Sequence, residues 1–151
     1  MPQVDENILI KQTPEVVFAY IIESENLPVW DVSVVKAEQV GENPVGLGTR
    51  TTGISKIMGK KFDWTTEITT FEPASRVTWT SVEGALQFAV NYVLEPESSG
   101  TRLVVHLEAQ PGLGGVFGRM TDPFVAKVQA RTMRANLETL ADLLVATGGV
   151  A

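Results

Sequence analysis

Between residues 33 and 110, apolar or hydroxyl-bearing side chains recur at alternate positions, with charged ones between them. That two-residue period predicts half-buried strands. Six segments carry it, at about 33–40, 48–58, 61–71, 76–83, 86–96 and 101–110, each rich in Val, Thr, Ile and aromatics and bounded by Gly, Pro or Ser. A further short strand, "VDENILIKQ", precedes them. Elsewhere the period changes. "TPEVVFAYIIES" offers Thr13 as N-cap, Pro14 at the first helical position and Glu15 in the first turn. Val16, Val17, Tyr20 and Ile21 are the expected buried face of that helix. "ENLPVWD" predicts a second short turn or helix anchored by Trp30. From Thr121 to Ala146, the residues Ala126, Ala130, Met133, Leu137, Leu140 and Leu144 recur every three or four positions, so a long helix with one apolar stripe is expected. Arg131 and Arg134 lie off that stripe. No internal repeat or low-complexity stretch interrupts the series.

Short connections set the pairing of consecutive strands, because hairpin loop length determines register. With Gly59-Lys60, Pro73-Ala74, Gly84-Ala85 and Ser98-Ser99 as loop centres, Ser55 falls opposite Trp64 and Thr51 opposite Ile68. Further along, Ile68 meets Trp79, Thr70 meets Val77 and Thr66 meets Ser81; Trp79 then meets Val90, and Tyr92 meets Val105. Directly opposed residues share a face. One face therefore gathers Thr51, Gly53, Ser55, Phe62, Trp64, Thr66, Ile68, Thr70, Trp79, Ser81, Phe88, Val90 and Tyr92. Lys56, Lys61, Asp63, Glu67, Arg102, His106 and Glu108 fall on the other. Only Glu83, near a strand end, places a charge on the first face, which is expected to be concave and covered by the long helix.

Composition narrows the chemistry. The 151 residues include no cysteine and one histidine, which removes disulfides, thiol nucleophiles and the usual transition-metal ligand sets. The register places that histidine, His106, on the outer face, away from any enclosed substrate. A net charge of −6 argues against nucleic acid and anionic membranes. The N-terminus lacks the basic and apolar regions of a secretion signal, and no apolar run approaches the roughly 20 residues of a membrane span. The expectation is one cytoplasmic domain over residues 1–151, a monomer or weak homodimer, with no metal or other cofactor.

The segment "LPVWDVSVVKAEQVGENPVGLGT" resembles the corresponding part of polyketide cyclase/dehydrase-like proteins of the START-related, helix-grip superfamily. "EPESSGTRLVVHLEA", followed by a Gly-rich linker and a long helix, is similar to the closing part of that family. The resemblance implies an α+β helix-grip fold: a curved antiparallel sheet of about seven strands around the C-terminal helix, with two short helices after the first strand. It also implies an apolar cavity, and no particular reaction, because one fold hosts many functions.

Tryptophans and hydroxyls on one face suit a ligand cavity with a few orienting groups better than a dry core. The candidate ligand-binding residues are Thr51, Ser55, Trp64, Thr66, Ile68, Trp79, Ser81, Phe88, Val90, Tyr92 and Met133, with Phe117 and Met120 from a Gly-rich linker that either closes over them or simply connects the last strand to the helix. Val105, Leu107, Leu137 and Leu140 read as plain core. The expected partner is a hydrophobic small molecule such as a polyketide, isoprenoid, sterol-like or fatty-acyl compound, held by a carrier or sensor. The alternative is a cyclase or dehydrase using the same cavity, for which Glu83 and Tyr92 are the candidate proton-handling groups.

Overall fold

The computed structural model describes residues 3–57, 59–84, 87–109 and 123–148. Strand β1 (Gln3–Ile10) leads into helix α1 (Pro14–Ile21), a single 3₁₀ turn (Ser24–Asn26) and helix α2 (Leu27–Trp30). Six strands follow: β2 (Val34–Val40), β3 (Arg50–Ile57), β4 (Lys60–Glu72), β5 (Arg76–Gly84), β6 (Phe88–Glu97) and β7 (Gly100–Ala109). Helix α3 (Pro123–Gly148) comes last. All strands join one antiparallel sheet in the order β1-β7-β6-β5-β4-β3-β2. The sheet is curled, and α3 packs on it, with Leu137, Leu140 and Leu144 buried among Ile10, Val77, Leu103 and Val105.

Thr13 caps α1 as expected, its hydroxyl accepting from Val16 N–H at 3.3 Å. The buried face of α1 is rotated from the expected one. Val17, Phe18 and Ile21 are buried, while Val16 and Tyr20 are half-buried. The ring of Phe18 draws the helix round by packing edge-on against Phe71 at 5.4 Å.

Register follows expectation over much of the sheet: Trp79 faces Val90, Tyr92 faces Val105, and Asn91 faces His106. Three local departures have identifiable causes. At the β3–β4 turn, Ile57 pairs with Lys60, so Gly59 is the second loop residue, with φ +84°. Pairing slips by two positions, bringing Ser55 opposite Phe62 and Thr51 opposite Thr66; an even slip leaves every side chain on its expected face. Between β4 and β5 the loop holds three residues, with Pro73 second in the turn, Ala74 at φ +61°, and Ser75 N–H bonded to Glu72 C=O at 2.9 Å. This is the pattern of a type II turn. The extra residue is absorbed by a bulge between Ile68 and Thr70, which pairs Phe71 with Val77 on the inner face and turns Thr70 outward opposite Thr78. A second bulge, at Val82, pairs Glu83 with Thr65 on the outer face and Gly84 with Trp64. Glu83 is thus exposed rather than inward, and it brings no charge to the concave side.

His106 lies on the outer face, as its alternation requires. Its Nδ1 meets Asp5 across the β1–β7 pairing, and its Nε2 lies 2.9 Å from Glu108. A neutral imidazole has one N–H, whereas the protonated ring donates at both nitrogens. The two carboxylates accordingly raise the His106 pKa above its ordinary 6.5. A raised folded-state pKa means that the folded chain holds the proton more tightly than the unfolded one. The contribution to stability is complete below pH 6.5 and is lost as pH rises through the higher folded value. Thermal midpoints measured from pH 5.5 to 8.5 should therefore fall in the parent relative to His106→Gln, and a constant difference across that range would remove the charged pairing.

Candidate functional site

The concave face, the elements from α1 to α2, and α3 line a partly open cavity of about 170 Å³. An apolar cavity of about 150 Å³ holds a benzene ring, so this one accommodates a single ring or a short chain. From the sheet it is lined by Thr51, Ser55, Trp64, Thr66, Trp79, Phe88, Val90 and Tyr92, and from α3 by Met133, all of them expected positions. Val105, Leu107 and Leu137 also reach it, so they are cavity walls as well as core. Leu140 is plain core, fully buried and away from the cavity.

Three other candidates stand elsewhere. Ile68 is buried in the neighbouring apolar cluster and does not border the cavity. Ser81 also falls outside the lining; its Oγ accepts the backbone N–H of Phe88 at 2.9 Å, bracing the β5–β6 connection. Glu83 points outward for the reason given above. Phe117 and Met120 lie outside the described residues.

The inward hydroxyls are largely spent on the protein itself. Thr51 and Ser24 hydroxyls lie 2.6 Å apart, tying β3 to the 3₁₀ turn. Ser55 Oγ accepts from Trp64 Nε1 at 2.8 Å, and Thr66 donates to the Thr51 carbonyl at 3.5 Å. Gly53 explains how Trp64 fits. A Cβ there would stand 2.5 Å from the indole and 2.5 Å from the Lys36 carbonyl oxygen, so glycine makes room for the ring to lie on the sheet.

Polarity enters the cavity from a different quarter. Asp31, at the end of α2, and Asn136, on α3, both line it. Asp31 Oδ1 accepts from Ser33 N–H at 2.9 Å, Ser33 Oγ at 2.7 Å and Asn136 Nδ2 at 3.1 Å. Asn136 Oδ1 in turn accepts from Val32 N–H at 3.2 Å, so the pair fastens α2 to α3. Burial raises the Asp31 pKa, and the Ser33 and Asn136 hydrogen bonds pull it partly back. Tyr92 stands edge-on to Trp79 at 5.6 Å and to Trp30 at 6.3 Å. Burial, with the Asp31 charge adding to it, pushes its phenol up and keeps it protonated. Asp31 and Asn136 were missed because their meeting spans 105 positions. Two local signals were present: the Asp-x-Ser spacing of Asp31 and Ser33, which favours a side-chain-to-backbone turn, and an Asn three residues after Met133 on the helical stripe. Among the described residues, no three His, Cys, Asp or Glu side chains converge as metal ligands do.

The model of the family described as "Polyketide cyclase / dehydrase and lipid transport" matches residues 1–145. A protein of Thermus thermophilus, TTHA0849, superposes with a TM-score of 0.79 at 26% identity, covering 96% of this chain and 98% of its own. A START superfamily protein from Mycobacterium smegmatis superposes with a TM-score of 0.73 at 14% identity, covering 94% and 98%. A Deinococcus radiodurans protein gives 0.70 at 16% identity, covering 93% and 95%. No curated protein sequence matches the chain.

Proposed function

The chain belongs to the polyketide cyclase/dehydrase and lipid transport family, and we propose that it binds a hydrophobic small molecule in the cavity between sheet and α3, as a carrier or sensor. The observation that carries this reading is the cavity itself, walled mainly by aromatic and aliphatic side chains with Asp31 and Tyr92 among them. Its size suits a single-ring compound, or the corresponding part of a polyketide, isoprenoid, sterol-like or fatty-acyl ligand. We infer no nucleic-acid partner, which the charge of −6 supports, and a cytoplasmic monomer or weak homodimer. Among the described residues, no helix is long and apolar enough to cross a membrane.

Propylbenzene, titrated calorimetrically, should bind with a negative heat-capacity change, the signature of apolar burial. At a hundredfold excess over Kd it should stabilise the fold by about 2.7 kcal/mol. Met133→Trp, which fills the cavity from α3, should abolish binding with the helical signal intact. Unaltered affinity in that variant would locate the ligand elsewhere. A second reading, cyclisation or dehydration in the same cavity, is supported by the carboxyl and phenol that both border it. Loss of turnover of a poly-β-keto substrate in Asp31→Asn, with binding retained, would favour it over the carrier.

A further inference from the structure

Two polar atoms stand out in a cavity whose other polar groups are satisfied. Tyr92 is only 7% exposed, yet its hydroxyl has no hydrogen-bond partner among the described residues. No fully enclosed side-chain nitrogen or oxygen among those residues lacks a partner. The Tyr92 hydroxyl therefore keeps accessible surface, and the space that Tyr92 borders is the cavity. Asp31 places all three of its hydrogen bonds on Oδ1, which leaves Oδ2 without a partner among the described residues. The two residues belong to different elements and are not bonded to each other. Tyr92 rises from the middle of the sheet, whereas Asp31 is clamped to α3 through Asn136. Both residues border the same cavity, one carrying a free donor and the other a free acceptor.

We propose that Asp31 and Tyr92 together recognise a hydroxyl group on an otherwise apolar ligand, with Tyr92 donating to its oxygen and Asp31 Oδ2 accepting its proton. The inference rests on the ligand-binding reading above and specifies the ligand's polar group. A hydroxyl is the simplest group that both accepts and donates. A ketone or ether has no proton for Asp31, and an ammonium has no lone pair for the Tyr92 proton. A plain hydrocarbon leaves both groups desolvated and unpaired, which a buried site penalises. The pairing also explains the arrangement at Asp31. Three donors on one oxygen hold the carboxylate in a single orientation with the other oxygen aimed away from them, and a fixed acceptor discriminates better than a mobile one.

The test compares 4-propylphenol, 4-propylanisole, propylbenzene and 2-phenylethylamine by calorimetric titration of the full chain. The phenol should bind about tenfold more tightly than the methyl ether or the hydrocarbon, the scale of a well-placed hydrogen bond in a dry site. Tyr92→Phe should erase that preference. Asp31→Asn supplies an independent arm. The Ser33 and Asn136 donors hold its amide oxygen at the Oδ1 position, so a donor replaces the free acceptor and the phenol loses its advantage. Equal affinity for phenol, ether and hydrocarbon in the parent would overturn the inference and leave the cavity reading standing. Tighter binding of the amine than of the phenol would overturn the hydroxyl assignment, as would a phenol preference that survives both substitutions. Failure of all four probes to bind would defeat the ligand-binding reading itself.

Discussion

Gly53→Ala should cost the fold about 1–3 kcal/mol, the usual penalty of overpacking, and weaken ligand binding in the same step. The added methyl would lie 2.5 Å from the Lys36 carbonyl oxygen, a backbone atom of β2, and 2.5 Å from the Trp64 indole. Neither neighbour yields cheaply. Lys36 and Ile54 are paired next to the β2 bulge, and moving the carbonyl means peeling an edge strand from the sheet. The indole is held by its bond to Ser55 at 2.8 Å and packs edge-on to Phe88 at 6.4 Å, and both residues border the cavity. Displacing the ring therefore pushes it into the ligand space. Urea unfolding measures the first effect and propylbenzene titration the second. Gly46→Ala is the control, because nothing lies within 4 Å of a Cβ there; it should shift stability by no more than about 0.5 kcal/mol. Equal stability of the two variants would mean that Trp64 does not lie over Gly53.

Leu137→Ala and Leu140→Ala should each cost about 2–5 kcal/mol, the range for emptying a buried leucine site. Leu137 is 1% exposed and Leu140 fully buried, so the transfer contribution is similar at both positions. Their consequences for ligand binding should diverge. Leu137 borders the cavity and Leu140 does not. Truncating Leu137 joins the new space to the existing volume and should admit longer chains, such as hexylbenzene, that the parent binds weakly. Truncating Leu140 leaves a sealed void and should leave the chain-length preference unchanged. An identical shift in both variants would place Leu140 at the cavity wall.

Much of this architecture was legible before any coordinates. Two-residue alternation identifies strands because a pleated backbone sends successive side chains to opposite faces, and that is a local property. The cap formed by Thr13 and Pro14, the long α3 stripe and the solvent side for His106 follow from equally local rules. Eight of the thirteen expected ligand-site residues border the cavity because strand alternation alone assigns their face, and Met133 does so from the α3 stripe.

Other features depended on long-range geometry. The bulges at Thr69 and Val82 each change pairing by one residue; they turned Thr70 and Glu83 outward, and no turn motif announced them. Whether an inward hydroxyl is free or spent depends on partners far along the chain, as with Ser24 and Thr51, 27 positions apart. Asp31 ends a short helix, and only the docking of α3 supplies its Asn136 partner, 105 positions away. Local sequence specifies which way a side chain leaves the backbone; what it meets there is settled when the helices close over the sheet.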